Sequence, residues 1–135
     1  MDTQIAAFFT SYDATWSRHD AAAFTNHFLE NASAQFHALD GKKTELNSRA
    51  EMPAFYTPSF KSLQSRPTVG HITEINRMQN LLSNLMLADG DALITEQNAE
   101  GATVTIRKWA VSFVLQQLES GWKILSLRAS DRPLT

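Results

Sequence analysis

The sequence contains no cysteine. Disulfide bonds, thiolate nucleophiles and cysteine-ligated metal ions are therefore excluded for this chain. It also lacks any concentrated block of basic residues, and its 12 Lys and Arg are balanced by 14 Asp and Glu, which gives a net charge of −2. Nucleic acid is consequently not an expected partner, because phosphate binding needs a basic surface.

Long apolar runs are missing as well. No stretch approaches the roughly 20 apolar residues of a membrane-spanning helix, and no Lys/Arg-rich amphipathic segment predicts binding to a membrane surface. Near the start, Asp2 occupies the region where a secretory signal carries Lys or Arg. We therefore expect no membrane partner and a cytoplasmic location.

What the sequence does contain is enough apolar material for a packed core. Hydrophobic residues make up 43% of the 135 positions and charged residues 19%. This composition is typical of a folded globular chain and not of a disordered one. The length fits one domain with room for a core and one pocket.

Apolar side chains recur at helical spacing near the start, at Ile5, Phe8, Phe9, Tyr12 and Trp16. This stripe predicts an amphipathic helix over residues 3–18. A second short helix is predicted over residues 21–28, since Asp20 before it is a favourable N-cap.

The remaining pattern predicts one more short helix and then strands. Ser48 and Glu51 have the spacing of a capping box, so we expect a third helix to follow them. Strands are predicted over residues 32–39, 69–77, 92–97, 103–118 and 122–130. Turns are predicted at residues 40–41, 89–91, 99–101 and 119–121, and residues 78–88 fit either a strand or a helical turn. Helices followed by consecutive hairpins predict an α+β fold with antiparallel strands.

One predicted strand is apolar on both of its faces. Residues 110–115 are almost continuously apolar, whereas a strand with one wet face would alternate. Helices can cover only one face of a sheet this small. We therefore expect a homodimer that pairs through the outer sheet face; the alternative is that residues 78–86 fold over that face.

The order of the elements and four local motifs resemble the nuclear transport factor 2-like superfamily, and within it the SnoaL-like proteins. The motifs are the helix pair over residues 5–28 with Asp-Ala-Ala-x-Phe at 20–24, the strand entry at 31–34, the helix at 48–56 and Gly-Trp-x-Ile at 121–124. The helix at 48–56 resembles the family's Gly-Arg-Glu-x-Ile-x-x-Phe-Tyr motif, with Ser48 in place of the glycine. The resemblance implies a single SnoaL-like domain over residues 1–135, in which N-terminal helices pack in a strongly curved antiparallel sheet. It also implies a cone with a pocket at its wide end, and homodimers in many members.

Members of this superfamily include isomerases, cyclases, dehydratases and hydrolases, so function has to come from pocket residues. Ketosteroid isomerases of the superfamily place a carboxylate base near the end of the first strand, where this sequence has Gln35, Phe36 and His37. His37 could replace that base, because an imidazole titrates near neutral pH; otherwise it is a solvent-facing residue at the strand's end. Asp13, beside Tyr12, is the other candidate acid or base. The alternative is that Asp13 is exposed to solvent at the edge of the apolar stripe.

The expected pocket is aromatic with polar groups at its rim. Tyr12, Trp16 and Tyr56 are predicted to line it, and the two phenols could donate hydrogen bonds to a bound carbonyl. Arg107 and Arg128 are predicted to hold an anionic ligand, and Trp109 is predicted to supply a flat apolar wall. Alternate residues of a strand face opposite sides of the sheet, and the sequence does not say which side faces the pocket. These three residues can therefore also lie on the outer face, at the dimer interface.

No cofactor or metal is expected. None of the four histidines is spaced with another as ligands on one element, and the sequence has no phosphate-binding glycine loop, dinucleotide fingerprint or serine nucleophile elbow. Two functions are compatible with the sequence. One is binding of a small apolar or anionic molecule, with isomerase- or lyase-type acid-base chemistry; the other is a non-catalytic homodimeric association module. A closed pocket with at least two convergent polar groups would favour the first.

Overall fold

The structure, a computed structural model, describes residues 2–134. The first and last positions of the predicted 1–135 domain, Met1 and Thr135, lie outside the described residues. None of the helices within residues 2–134 is both long enough and apolar enough to cross a membrane.

The predicted first helix is confirmed as α1, Thr3–Ser17. The Asp2 carboxylate caps it by accepting a hydrogen bond from the Gln4 N–H at 2.7 Å. Its buried side chains are Ile5, Phe8, Phe9, Tyr12 and Thr15. The chain leaves the helix at His19, whose φ of 57° is left-handed, and the imidazole Nε2 lies 2.8 Å from the Val69 carbonyl.

The second helix is shorter than predicted. Helix α2 covers Ala21–Thr25, with the Asp20 carboxylate accepting from the Ala23 N–H at 3.1 Å. The predicted continuation to Phe28 is wrong, because Phe28 opens strand β1, Phe28–His37. There its fully buried ring joins the core from the sheet side, so tertiary packing overrides the local helical pattern.

A short strand and the third helix follow. Strand β2, Lys43–Leu46, pairs antiparallel with β1, and one 3₁₀ turn at Arg49–Glu51 leads into α3, Met52–Ser62. The expected capping box is incomplete, since Ser48 makes no side-chain cap bond. The Glu51 carboxylate instead accepts a hydrogen bond from the Asn47 N–H at 3.0 Å.

Long hairpins complete the sheet. Its remaining strands are β3 (Gly70–Leu82), β4 (Leu85–Gln97), β5 (Thr103–Leu118) and β6 (Gly121–Arg132). The undecided residues 78–88 form the tip of the β3–β4 hairpin rather than a helical turn. The six strands are ordered β2-β1-β6-β5-β4-β3.

The turn predicted at residues 89–91 is wrong, because this segment lies in the middle of β4. Gly90 sits where the β3–β4 register shifts between Ile75 and Arg77. A Cβ on Gly90 would lie 1.9 Å from the Glu74 carbonyl oxygen. The glycine therefore permits a close backbone approach at a β-bulge, which bends the sheet.

One strand pair is parallel, which the expectation of antiparallel hairpins throughout did not include. Strand β1 pairs parallel with β6, for example Ala34 with Leu127 and Phe36 with Ala129. The parallel pair joins the first strand of the chain to the last. The α+β class and the curved sheet are as predicted, with the helices on the concave face around a core that includes Phe24, Phe28 and Phe113.

Candidate functional site

A cavity of about 450 Å³ lies between the helices and the concave face of the sheet. Its walls include five of the predicted pocket residues, namely Tyr12, Trp16, Tyr56, Arg107 and Trp109. Helices α1 and α3 supply the first three, and β5 the last two. On β5 the odd-numbered residues from Arg107 to Phe113 face the cavity, which settles the strand parity that the sequence left open.

Aromatic rings form much of the wall. The Phe36 ring stacks on Phe55 with a centroid distance of 4.8 Å, and the Trp109 ring meets Phe36 edge-on at 6.1 Å. In another part of the wall, Trp16 packs edge-on against Phe60 at 5.2 Å. A cavity with such flat apolar walls favours a planar or cyclic apolar guest.

A histidine–aspartate pair borders the cavity. His71 of β3 lines the cavity, and its Nδ1 lies 2.8 Å from the Asp13 Oδ1 on α1. The same carboxylate accepts from the Thr73 hydroxyl at 2.7 Å and from the Thr73 N–H at 2.8 Å. Three donors thus converge on Asp13, which fixes the carboxylate and ties α1 to the sheet.

This geometry determines what the imidazole offers. Because a carboxylate can only accept hydrogen bonds, the His71 Nδ1 carries the proton and donates it to Asp13. In the neutral ring Nε2 then has its lone pair free, and it has no hydrogen-bond partner among residues 2–134. The imidazole is held in one orientation by Asp13 and by the Trp16 ring, 5.1 Å away. His71 is therefore equipped to accept a proton from a bound molecule.

Two tyrosines, Tyr12 and Tyr56, also line the cavity. Burial, together with the nearby Tyr56 and Asp13, raises the pKa of Tyr12 well above its ordinary value. Burial likewise raises the pKa of Tyr56. Both phenols stay protonated at neutral pH, and the Tyr12 ring is 5.8 Å from the His71 ring. They can donate hydrogen bonds to an oxygen that gains negative charge in the cavity.

The cavity rim carries two arginine–carboxylate pairs. Arg107 donates to Asp131 from Nε at 3.2 Å and from Nη2 at 2.6 Å, both to Oδ2. Arg66 makes a two-oxygen pair with Glu96, at 2.9 and 2.6 Å. The guanidinium carbon of Arg107 also lies 4.6 Å from the centre of the Trp109 ring, so this arginine is held from two sides.

Two of the predicted site residues lie away from the cavity. Arg128 is exposed on the opposite face of the sheet, between the cavity-lining Leu127 and Ala129. His37 ends β1, where it pairs with Lys43 of β2 and Ser130 of β6, and it is exposed. The structure therefore brings Asp13 to the site and leaves His37 at the sheet's end.

The residue that sequence reasoning missed is His71. The spacing of His71 from the other three histidines indicates no metal site and gives no sign of its partner Asp13, which lies on another element. The sequence signal for a shared polar partner was that His71 and Thr73 are two residues apart on a strand, so their side chains lie on the same face. Among residues 2–134, no three His, Asp or Glu side chains come together as they would around a metal ion.

Residues 2–132 match the family model described as NTF2-like protein (DUF6841). The chain belongs to this family, which confirms the predicted superfamily, whereas the SnoaL-like assignment stays a prediction. No functionally curated protein matches the chain.

Solved structures show the same fold at low sequence identity. A cystatin-like domain of unknown function from Nostoc punctiforme is 24% identical with a TM-score of 0.72, over 98% of this chain and 77% of that one. A ketosteroid isomerase-like protein from Erwinia carotovora is 18% identical with a TM-score of 0.68, over 97% and 95%. An NTF2-like protein from Novosphingobium aromaticivorans is 12% identical with a TM-score of 0.70, over 98% and 82%. At such identities the likeness extends to the fold alone.

Proposed function

We propose that this protein binds a small cyclic, largely apolar molecule in the cavity and moves a proton on it, in an isomerase- or lyase-type reaction. His71 is the general base, Asp13 the positioning residue that fixes its tautomer, and Tyr12 and Tyr56 are the hydrogen-bond donors. The observation that carries the proposal is the 2.8 Å contact between His71 Nδ1 and Asp13, which leaves Nε2 available in an aromatic cavity.

The chemistry follows from these groups. His71 Nε2 removes a proton from a carbon next to a carbonyl, and the electron pair of that C–H bond moves to the carbonyl oxygen as an enolate. A tyrosine hydroxyl stabilises that oxygen by a hydrogen bond. The imidazolium, held by the Asp13 carboxylate, then returns the proton. When the enolate is conjugated with a neighbouring C=C bond, return of the proton to the far carbon of that system re-forms the carbonyl and shifts the C=C bond, which is an isomerisation. When the β-carbon carries a hydroxyl, the carbonyl re-forms as the electron pair makes a C=C bond to that carbon, and the C–O bond breaks. The departing hydroxyl takes the proton and leaves as water.

The proposed roles of Asp13 and His37 differ from those predicted from the sequence. Asp13 was a candidate acid or base, and in this proposal it acts through His71. His37, the other candidate, has no role in the proposed reaction, because it is exposed at the end of β1 and does not line the cavity.

Proton exchange tests the reaction. The protein would be mixed with cyclic ketones such as tetralone and cyclohexenone in deuterated water, and deuterium uptake beside the carbonyl followed by NMR. We expect the wild-type protein to accelerate deuterium uptake. The rate of uptake with His71→Gln should be lower by about 100-fold or more. His37→Gln is the matched control and should keep the acceleration. Equal uptake with wild type and His71→Gln would overturn the proposal.

The outer face of the sheet supports a second candidate function, homodimeric association. Leu87 of β4 pairs with Val114 of β5, and both are only partly buried in one copy of the chain. Acidic Asp89 and basic Arg128 both flank Ser112 on the same face. A second copy related by a two-fold axis would cover the apolar residues and match opposite charges.

Light scattering tests this association directly. We expect a dimer mass at micromolar concentration, reduced to a monomer mass by Val114→Glu, because a carboxylate would be buried at the interface centre. Lys61→Glu, on the exposed part of α3, is the matched control and should stay dimeric. A wild-type monomer would remove this candidate.

A further inference from the structure

The concave face of the sheet carries one row of side chains that crosses three strands. His71 of β3 is the register partner of Ile94 of β4, and Ile94 is the partner of Arg107 of β5. All three line the cavity. Since neighbouring strands lie about 4.8 Å apart, the Cα atoms of His71 and Arg107 are separated by about 10 Å. The proposed base and an arginine thus stand at opposite ends of one row.

The arginine in this row has only one side of its guanidinium occupied. Its Nε and Nη2 both donate to the same oxygen, Oδ2 of Asp131. Its Nη1 has no hydrogen-bond partner in the described part of the chain. A guanidinium has five N–H groups, so Nη1 and the second hydrogen of Nη2 form an open fork. A carboxylate fits such a fork with two parallel hydrogen bonds.

The fork is oriented before any ligand arrives. The Asp131 side chain is only 8% exposed, while that of Arg107 is 51% exposed. Trp109 supports the guanidinium plane from one face. Because two neighbours already fix the side chain, a ligand would not have to order it, which favours binding.

The surrounding charges limit the ligand's own charge. Asp131 already offsets the charge of Arg107, and the second rim arginine, Arg66, is engaged by both oxygens of Glu96. A doubly charged phosphate would therefore meet two carboxylates, and the described residues that line the cavity include no other Lys or Arg. A single carboxylate with an apolar body suits it better, since the remaining wall is largely aromatic.

We infer that the ligand is a cyclic or aromatic carboxylic acid. Its carboxylate binds the free fork of Arg107, its ring lies along Ile94, and its reactive carbon lies at His71 Nε2. Arg107 determines specificity, and Asp131 is the positioning residue that aims it. The reactive end rests on the proposed function above, whereas recognition of the carboxylate is measurable by itself.

A purely structural role for the ion pair predicts something different. Arg107 would then tie β5 to β6, and its replacement would lower stability without changing any preference between charged and neutral ligands. The two readings separate when binding of an acid is compared with binding of its neutral isostere.

Calorimetric binding of cinnamate and cinnamamide, which share shape but differ in charge, makes this comparison. We expect wild type to bind cinnamate at least about ten-fold more tightly, as a hydrogen-bonded charge pair permits. Arg107→Gln should abolish the preference and keep cinnamamide binding. Arg77→Gln removes an exposed arginine of β3 that does not line the cavity, and it should leave the preference intact. If Arg107→Gln does not fold, Arg107→Lys keeps the charge, loses the fork and should weaken the preference.

Each result decides something. Equal affinity of wild type for the acid and the amide overturns the carboxylate inference and leaves the proposed function standing. A preference that survives both Arg107 variants also overturns it. Failure of both ligands to bind removes the inference and the small-molecule pocket together.

Discussion

Asp13 on α1 accepts a hydrogen bond from His71 on β3 at 2.8 Å, across a sequence separation of 58 residues. The same carboxylate accepts two further bonds from Thr73. One side chain therefore fastens the first helix to the sheet and orients the imidazole in the cavity wall. Its replacement should change both stability and the state of His71.

Asp13→Asn should destabilise the fold by about 1–3 kcal/mol, because a partly buried carboxamide cannot accept from all three donors. Its own N–H₂ would oppose one of them. Urea unfolding measures the loss, and nitrogen NMR should show a larger fraction of His71 with its proton on Nε2. Asp40→Asn is the matched control, since Asp40 accepts one exposed bond, from the Lys42 N–H at 2.9 Å. A loss no greater than that of Asp40→Asn would contradict the assigned role.

Stability should fall at alkaline pH because of the two tyrosines, Tyr12 and Tyr56, the only ones in the sequence. Burial raises the pKa of both in the folded protein, while an unfolded tyrosine titrates near pH 10. Their contribution is complete below about pH 10 and is lost as the pH rises toward the folded pKa values. Tyrosinate absorbance should therefore appear together with unfolding. Absorbance that rises while the circular dichroism stays native would refute this, and the Tyr12→Phe, Tyr56→Phe double variant should flatten the alkaline slope.

His27 should make the protein less stable on the acid side. Burial, and to a lesser degree the nearby Lys123, lowers the pKa of His27, against the opposing hydrogen bond to the Phe24 carbonyl. Its neutral form accepts from the Ser11 hydroxyl at 2.9 Å. Stability is complete above about pH 6.5 and declines as the pH falls toward the lowered folded value. Melting temperatures at a series of pH values measure this slope.

Two variants that weaken the acid slope and one that leaves it unchanged test the role of His27. His27→Gln should flatten the acid slope, and Lys123→Gln should reduce it by removing a charge that opposes protonation. Lys61→Gln, which removes an exposed lysine from α3, should leave it as in wild type. An unchanged slope in His27→Gln would assign the acid sensitivity to another group.

Gly90→Ala should cost about 3 kcal/mol, the upper part of the range for overpacking, because the added Cβ meets backbone that cannot move aside. The nearest atom is the Glu74 carbonyl oxygen at 1.9 Å. Gly41→Ala is the comparison, since no atom lies within 4 Å of its added Cβ although its φ is +87°. Chemical denaturation should rank the two losses in this order. The opposite order would mean that β3 and β4 are not this close.

The sequence correctly predicted those helices and strands that are determined by the residues within them. The apolar stripe from Ile5 to Trp16 defines α1 wherever the sheet lies, and the predicted span of β5 coincides with Thr103–Leu118. The turn predicted for the Asp-Gly-Asp segment around Gly90 was wrong because its structure depends on another strand. Its composition is typical of a turn, but the glycine is required by a bulge in another strand, which no local window contains.

The site was predictable in its aromatic part and not in its polar part. Tyr12, Trp16 and Tyr56 follow from their helix stripes, whereas the partner of Asp13 depends on strand register far along the chain. The same limit applies to Arg107 and Arg128. Only the pairing of β5 with β6 decides that the first faces the cavity and the second the outer surface.

The parallel pairing of β1 with β6 has a consequence during synthesis. On a ribosome, β1 emerges early but its central neighbour, Gly121–Arg132, emerges about ninety residues later, as the numbering shows. Until then the early strand has only the short β2 beside it, and its other edge is open to unwanted pairing. Strand β1 therefore stays without its central neighbour during most of synthesis, and the sheet can be completed only after β6 has been synthesised.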